Sequence, residues 1–183
     1  MSSRSRIGRL PATWWFKSVA AGLVGGIAMV LTWNIGSALI GDGFWRPLNA
    51  IGTTMPERDL ITGAFSSLSI TGAFLHTLTS ACWGIIFGMI LGLVAPQFGR
   101  TMGRATLAGL VFGLGVYVLM GQIIGPWLNP AITTIQGMVY FLGHLVFGAV
   151  TGASLYAMAR RRELSVTFAP GVASRDRVTT LRR

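Results

Sequence analysis

Two histidines, His76 and His144, are the residues of this chain whose type and placement could do chemistry. Each lies at a similar point within a long apolar segment, and neutral imidazoles at matched positions on parallel helices can be axial ligands of a haem or bind a soft metal ion. Three interpretations stay open. The pair could bind haem b, or it could serve metal binding, proton or pH sensing. It could also be buried in hydrogen bonds to Asn34, Gln122, Gln136, Tyr140 or a backbone carbonyl.

Other polar side chains inside the apolar segments are few. Asn34 and Gln122 are the main amides, and they are expected to form hydrogen bonds between helices, worth about 0.6 kcal/mol each, or to line a polar path. No acidic residue lies in any apolar segment. The sequence therefore offers no acid–base pair, no activated nucleophile and no phosphate-binding loop, and it predicts a protein that is not an enzyme.

Asn129-Pro130-Ala131 matches the three-letter box of aquaporins. That family needs six spans and two such boxes, which enter the membrane from opposite faces. The equivalent residues earlier in this chain, Asn49-Ala50, lack the proline. We therefore expect a turn shaped by proline, in which the Asn129 side chain satisfies backbone groups.

The elements that must position these side chains are membrane spans. The 183 residues are 52% hydrophobic and only 11% charged, against roughly 25% charged in soluble domains. A helix crosses the hydrocarbon core in about 20 residues. The uncharged runs therefore predict an all-α membrane protein with four transmembrane helices, over about 16–40, 70–94, 105–124 and 138–158. The one cysteine, Cys82, excludes an intrachain disulfide.

The basic residues predict the orientation. Lys and Arg number 15 and Asp and Glu 5, and most of the basic residues lie at the chain ends and in the middle turn. Because Lys and Arg stay on the cytoplasmic side, both termini are expected there. Residues 1–15 form a basic N-terminal segment, 16–159 the transmembrane domain and 160–183 a basic, disordered tail. These charges are expected to contact the lipid bilayer and not nucleic acid, which needs a folded basic face.

Small residues recur at every fourth position in the spans, so they share one helix face. Such faces let helices approach closely in lipid. Since these faces exceed what four helices can bury internally, we expect a non-enzymatic accessory or interaction subunit, either a homo-oligomer or part of a membrane complex. A small transporter or channel is a further alternative. The expected packing residues are Gly22, Gly26, Gly84, Gly88, Gly92, Gly109, Gly113, Gly148 and Gly152.

The two halves of the chain resemble each other. Ala21-Gly22-Leu23-Val24 recurs 87 residues later, Leu48-Asn49 recurs 80 residues later, and His76 recurs 68 residues later as His144. Their common order predicts two parallel two-helix hairpin repeats, related by a twofold axis along the membrane normal.

The first outer loop is expected to contain a short interfacial helix. Phe44, Leu48, Ile51 and Met55 fall at helical spacing, and Pro47 is favoured in a first helical turn. Trp45 would anchor this helix at the membrane interface.

The chain resembles the uncharacterised YagU-like family of bacterial inner-membrane proteins. The resemblance rests on the glycine-rich first span, a second span that begins near His76 and ends at Pro96, Ala108-Gly109 in the third, and Gly143-His144-Leu145-Val146 in the fourth. It covers most of residues 17–162. It implies a multi-pass protein of the bacterial inner membrane and no established activity.

Overall fold

A computed structural model describes residues 10–53 and 61–167 of the chain, which fold entirely into helices and turns, so the predicted all-α class is confirmed. Four stretches are long and apolar enough to cross a membrane: Ala12–Leu39, Ser67–Val94, Met102–Leu128 and Gly137–Arg160. The helices are α1 (Ala12–Leu39), α2 (Arg46–Gly52), α3 (Ser67–Met89), α4 (Met102–Val116), α5 (Gly125–Leu128) and α6 (Gly137–Thr167). Between them lie π-helical segments at Ile90–Val94 and Tyr117–Ile124 and 3₁₀ turns at Pro96–Arg100 and Pro130–Thr134.

The helices run beyond the predicted spans. The first begins at Ala12, so the predicted N-terminal segment 1–15 already contains a helix start. The third passes through Gly125 and Pro126 to Leu128, because proline fits the first turn of the new helix. The fourth continues past residue 160 to Thr167, since arginine, glutamate and leucine are good helix formers. The predicted disordered tail thus begins as helix, and its residues 168–183 lie outside the described part, as do residues 1–9.

The short helix expected in the first outer loop is α2, but it does not lie freely at the interface. Pro47, Leu48, Asn49 and Ala50 are buried, and α2 packs on α3. Close approach is allowed by glycine, because a Cβ at Gly72 would collide with the Leu48 carbonyl oxygen. This buried helix covers the end of the bundle formed by the end of α1 and the start of α3. Met55 lies outside the described residues.

The spans are arranged in the order α3, α1, α6, α4. α1 packs against both α3 and α6, and α6 packs against α4. Few close backbone contacts join α3 to α4, and the gap is bridged by large rings: Phe112 contacts Phe87 at 5.0 Å and Trp83 at 5.9 Å between ring centroids. The helix arrangement departs from exact twofold symmetry, which would make the α3–α4 contact equal to the α1–α6 contact.

All nine glycines predicted to pack helices lie at contacts within the chain. In the first hairpin, a Cβ on Gly22 would meet Gly84 Cα at 2.7 Å. In the second, a Cβ on Gly109 would meet Gly152 Cα at 3.2 Å. The glycine faces are therefore used to join α1 to α3 and α4 to α6. This corrects the expectation that they exceed what the four helices bury, which was the argument for an interaction subunit.

Candidate functional site

A cavity of about 110 Å³ lies at the centre of the bundle, in the half of the spans nearer to α2. All four spans contribute to its wall, and α2 and the 3₁₀ turn after Asn129 contribute to its roof. Both histidines line it. The wall and roof residues are Met29, Trp33, Ile51, His76, Thr79, Ser80, Trp83, Val116, Met120, Ile132, Tyr140, His144 and Phe147. The fold thus brings the two predicted site residues, from α3 and α6, to one cavity.

Trp33 holds the two histidines in place. It is 3% exposed, and its ring centroid lies 5.5 Å from that of His76 and 5.4 Å from that of His144. Its indole stacks on Tyr140 at 5.0 Å, and its Nε1–H donates to the Tyr140 carbonyl at 3.2 Å. Gly143 leaves room for this ring, since a Cβ there would collide with the indole. One aromatic side chain of α1 therefore contacts both imidazoles.

His144 is 2% exposed, and its Nδ1 lies 2.9 Å from the carbonyl oxygen of Tyr140, one turn earlier in α6. A carbonyl only accepts hydrogen bonds, so Nδ1 carries the proton and Nε2 keeps its lone pair. Nε2 has no hydrogen-bond partner among the described residues. In metal sites, the second nitrogen of a ligating histidine is usually oriented by a carbonyl or carboxylate in the same way.

His76 is oriented in the same manner from another helix. Its Nε2 lies 3.0 Å from the Gly26 carbonyl oxygen of α1 and 3.3 Å from the Ser80 hydroxyl oxygen. Nε2 therefore donates to Gly26, and Nδ1 keeps the lone pair. Both contacts match the backbone-carbonyl partner that was one of the predicted alternatives. Each histidine nevertheless retains one nitrogen without a partner in the described part of the chain.

The chemistry that this wall offers is soft and neutral. Two imidazoles and the thioethers of Met29 and Met120 face a space that no described carboxylate lines. Within residues 10–53 and 61–167, no group of three or more His, Cys, Asp or Glu is placed to hold a metal. Besides the two imidazoles, the groups in the wall that could ligate a metal are the methionine sulfurs and the hydroxyls of Thr79, Ser80 and Tyr140. Cys82 is exposed and does not line the cavity.

A haem does not fit this cavity. A cavity of about 150 Å³ accommodates benzene, and a porphyrin contains four pyrrole rings. Trp33 packs against both imidazoles, and the neighbouring Phe147 is fully buried. Axial ligation of a macrocycle by both histidines would require these rings to leave their positions.

The two intramembrane amides have different environments. Asn34 is 2% exposed, and its Oδ1 has no hydrogen-bond partner in the described chain. Gln122 is exposed on the π-helical segment after α4, so it neither lines the cavity nor joins two helices. This corrects the expected role of Gln122. Its position near the end of the span, where the π-helix changes the direction of side chains, removes it from the packed face.

Asn129 and Asn49 join loop segments at the α2 end of the bundle through hydrogen bonds. Asn129 Nδ2 donates to the carbonyls of Ala50 and Ile51 at 3.0 and 3.2 Å, and its Oδ1 accepts from the Ala131 amide. This confirms the expected turn. Asn49 is fully buried, with its carbonyl oxygen accepting from the hydroxyls of Ser66 and Ser69 at 2.9 and 2.6 Å. Together they hold the roof of the cavity.

Most wall residues were not singled out from the sequence as parts of a site, among them Trp33, Met29 and Met120. The sequence did contain a signal for Trp33. Tryptophan in a span usually lies at the membrane interface, whereas Trp33 follows a long apolar run. The methionines gave no signal, since methionine is a common core residue.

The chain was compared with protein-family models, curated proteins and solved structures, and none of them matches it.

Proposed function

We propose that this polytopic membrane protein binds one Cu(I) ion in the central cavity, through His76, His144 and the thioethers of Met29 and Met120. The observation that carries the proposal is that two carbonyl-oriented imidazoles from different spans line one cavity, each with an unpaired nitrogen. Binding in this site is a non-enzymatic role, in sensing or in handling of the ion.

The ligand set favours a soft monovalent ion. Thioether sulfur selects Cu(I), and imidazole suits copper. All four ligands are neutral and the site lies among apolar helices, where the cost of an uncompensated charge is high. A monovalent ion leaves a smaller uncompensated charge than zinc or another divalent ion. The electron-rich faces of Trp33, Trp83 and Tyr140 add attraction for a cation.

The test is an anaerobic titration of the detergent-purified full chain with Cu(I) against a colorimetric Cu(I) chelator. We expect one ion per chain, and affinity at least about tenfold lower in His76→Gln and His144→Gln. Met29→Leu and Met120→Leu conserve volume and should preserve the fold, while also weakening binding. Met102→Leu is the matched control, because Met102 is exposed and lies away from the cavity. Wild-type protein that binds no copper, or equal affinity in all five variants, would contradict the proposal.

The remaining functional hypotheses have less support. An accessory role through association with another membrane protein stays a prediction, without the glycine argument that first favoured it. A transporter or channel also stays a prediction. Buried Phe87, Phe147 and Leu155 fill the core between the cavity and the opposite end of the bundle, so passage would need a different conformation.

We also propose that the cavity lies in the outer half of a bacterial inner membrane, with both termini in the cytoplasm. Lys17, Arg100, Arg104 and Arg160 lie at one end of the bundle, whereas the other end carries Arg46 together with Asp42. The positive-inside rule supports this orientation. The bacterial location rests on the YagU-like resemblance, and the offsets of 87 and 68 between matched helix contacts support the duplicated hairpin.

A further inference from the structure

A second cavity, of about 640 Å³, lies at the opposite end of the bundle from the histidines. It is bounded by the start of α1, by the stretch of chain from the π-helical segment Ile90–Val94 to Arg100, and by the last membrane-spanning turn of α6. Three chain segments therefore meet around it where the spans leave the membrane. None of the residues of the histidine cavity contributes to it.

Two guanidinium groups line this second cavity, those of Arg100 and Arg160. Arg160 Nη1 donates to the Tyr156 hydroxyl at 3.1 Å, which orients the side chain. Among the side chains that the structure describes, the one carboxylate is Asp42, at the far end of α1. Within that part of the chain, both arginines are thus without an acidic partner. A planar guanidinium matches the geometry of phosphate oxygens and can bind them with two parallel hydrogen bonds.

The deeper wall of the cavity is apolar. Leu10 and Leu91 line it, together with the Trp14 ring, whose Nε1–H is occupied by the Gly88 carbonyl at 3.0 Å. Gly92 lets Leu10 pack closely in this wall, because a Cβ there would lie only 2.9 Å from Leu10 Cδ2. Cationic groups at the rim and an apolar wall below them are complementary to a phospholipid, with its phosphate at the membrane surface and its chains in the hydrocarbon.

We propose that this cavity binds the phosphate of an anionic phospholipid, with Arg100 and Arg160 as its ligands and the Leu10–Trp14–Leu91 wall against the start of the acyl chains. Basic pockets between spans on the cytoplasmic side bind anionic headgroups in this way. A free phosphate ion shares the headgroup chemistry but makes no use of the apolar wall. The proposal is independent of copper binding at the histidines.

Native mass spectrometry of the full chain in detergent tests this site, with phosphatidylglycerol and phosphatidylcholine as probes. We expect retention of phosphatidylglycerol over phosphatidylcholine, and a loss of at least about fivefold in its apparent affinity in the double variant Arg100→Gln, Arg160→Gln. Arg104→Gln is the matched control, since Arg104 is exposed at the same end but does not line the cavity. It should retain the lipid as the wild type does.

Three results would overturn the proposal. Equal loss in Arg104→Gln would show attraction to general positive charge, and equal retention of the two lipids would show that the anionic headgroup is not recognised. Displacement of phosphatidylglycerol by millimolar inorganic phosphate would assign the site to the free ion.

Discussion

At the scale of single residues, the end of the bundle that contains α2 is held together by buried polar side chains that make several hydrogen bonds each. Asn49 is the clearest case, because its amide donates to the carbonyls of Thr62 and Ala64, both at 2.8 Å, and its oxygen accepts from two serine hydroxyls. A buried amide with all its partners specifies one arrangement of the loop, and a buried amide that loses them is costly. Asn49 therefore fixes α2 relative to the start of α3.

Asn49→Asp tests this at constant size. The carboxylate cannot donate to the two carbonyls, so we expect destabilisation of about 2–4 kcal/mol, in the range for a disrupted buried network. Thermal unfolding followed by circular dichroism in detergent measures it. Gln136→Glu is the control, because Gln136 is exposed and its Oε1 only accepts from the Val139 amide. If both variants unfolded at the same temperature, the hydrogen bonds of Asn49 would contribute no more to stability than the single hydrogen bond of Gln136.

Single residues also show how far the sequence could predict the site. His76 and His144 were identified because an ionisable residue in a span is rare, and the structure places both at one cavity. Trp33 was not identified from the sequence. Its contacts depend on packing against two helices that are distant in sequence, and a local sequence pattern does not predict such packing. Gln122 was expected inside and is exposed, since hydropathy locates a residue along a span but not around its axis when the whole helix is apolar.

At the scale of helices, the two spans of each hairpin are joined through backbone-to-backbone approach at glycine. Matched positions of the two hairpins make the same contacts. Gly22 of α1 lies against Ser80 and Gly84 of α3. Gly109, 87 residues after Gly22, lies against Gly148 and Gly152, which are 68 residues after Ser80 and Gly84. The four-residue spacing predicted such a face, because positions four apart share a side of a helix. The spacing did not predict which helices would be neighbours. In particular, it did not predict the contact between α1 and α6.

Gly109→Ala and Gly115→Ala separate packing from helix propensity. A Cβ at Gly109 would collide with the Gly148 carbonyl oxygen, whereas one at Gly115 would meet nothing within 4 Å. We expect Gly109→Ala to cost about 1–3 kcal/mol through overpacking. Gly115→Ala should be neutral or slightly stabilising, because alanine favours a helix more than glycine. Unfolding by sodium dodecyl sulfate titration in mixed micelles measures both.

Gly22→Ala should behave like Gly109→Ala, since the two glycines occupy matched positions in their hairpins. Equal stability of Gly109→Ala and Gly115→Ala would mean that the α4–α6 contact adjusts freely, and close glycine packing would not hold the hairpins together.

At the scale of the whole molecule, the two cavities lie at opposite ends of one asymmetric bundle. The cavity lined by His76 and His144 is roofed by α2, which Asn129 contacts through hydrogen bonds, and the cavity lined by Arg100 and Arg160 opens between the start of α1 and the last membrane-spanning turn of α6. The number of spans followed from hydropathy, because four apolar stretches of sufficient length leave little choice. Which end faces the cytoplasm decides whether a soft ion would reach the histidines from outside the cell, and which leaflet would supply a lipid to the arginine cavity.

The single cysteine makes the orientation directly measurable. In a Cys82→Ala background, Thr62→Cys introduces a thiol at an exposed position of the histidine end, and Gln97→Cys introduces one at an exposed position of the arginine end. Positive residues are retained in the cytoplasm, so a membrane-impermeant maleimide added to intact spheroplasts should label Thr62→Cys and leave Gln97→Cys unmodified until the cells are lysed. The Cys82→Ala protein alone controls for background. Labelling of Gln97→Cys in intact spheroplasts would show that the bundle has the opposite orientation. The arginine cavity would then face the leaflet opposite to the one that the charge distribution predicts.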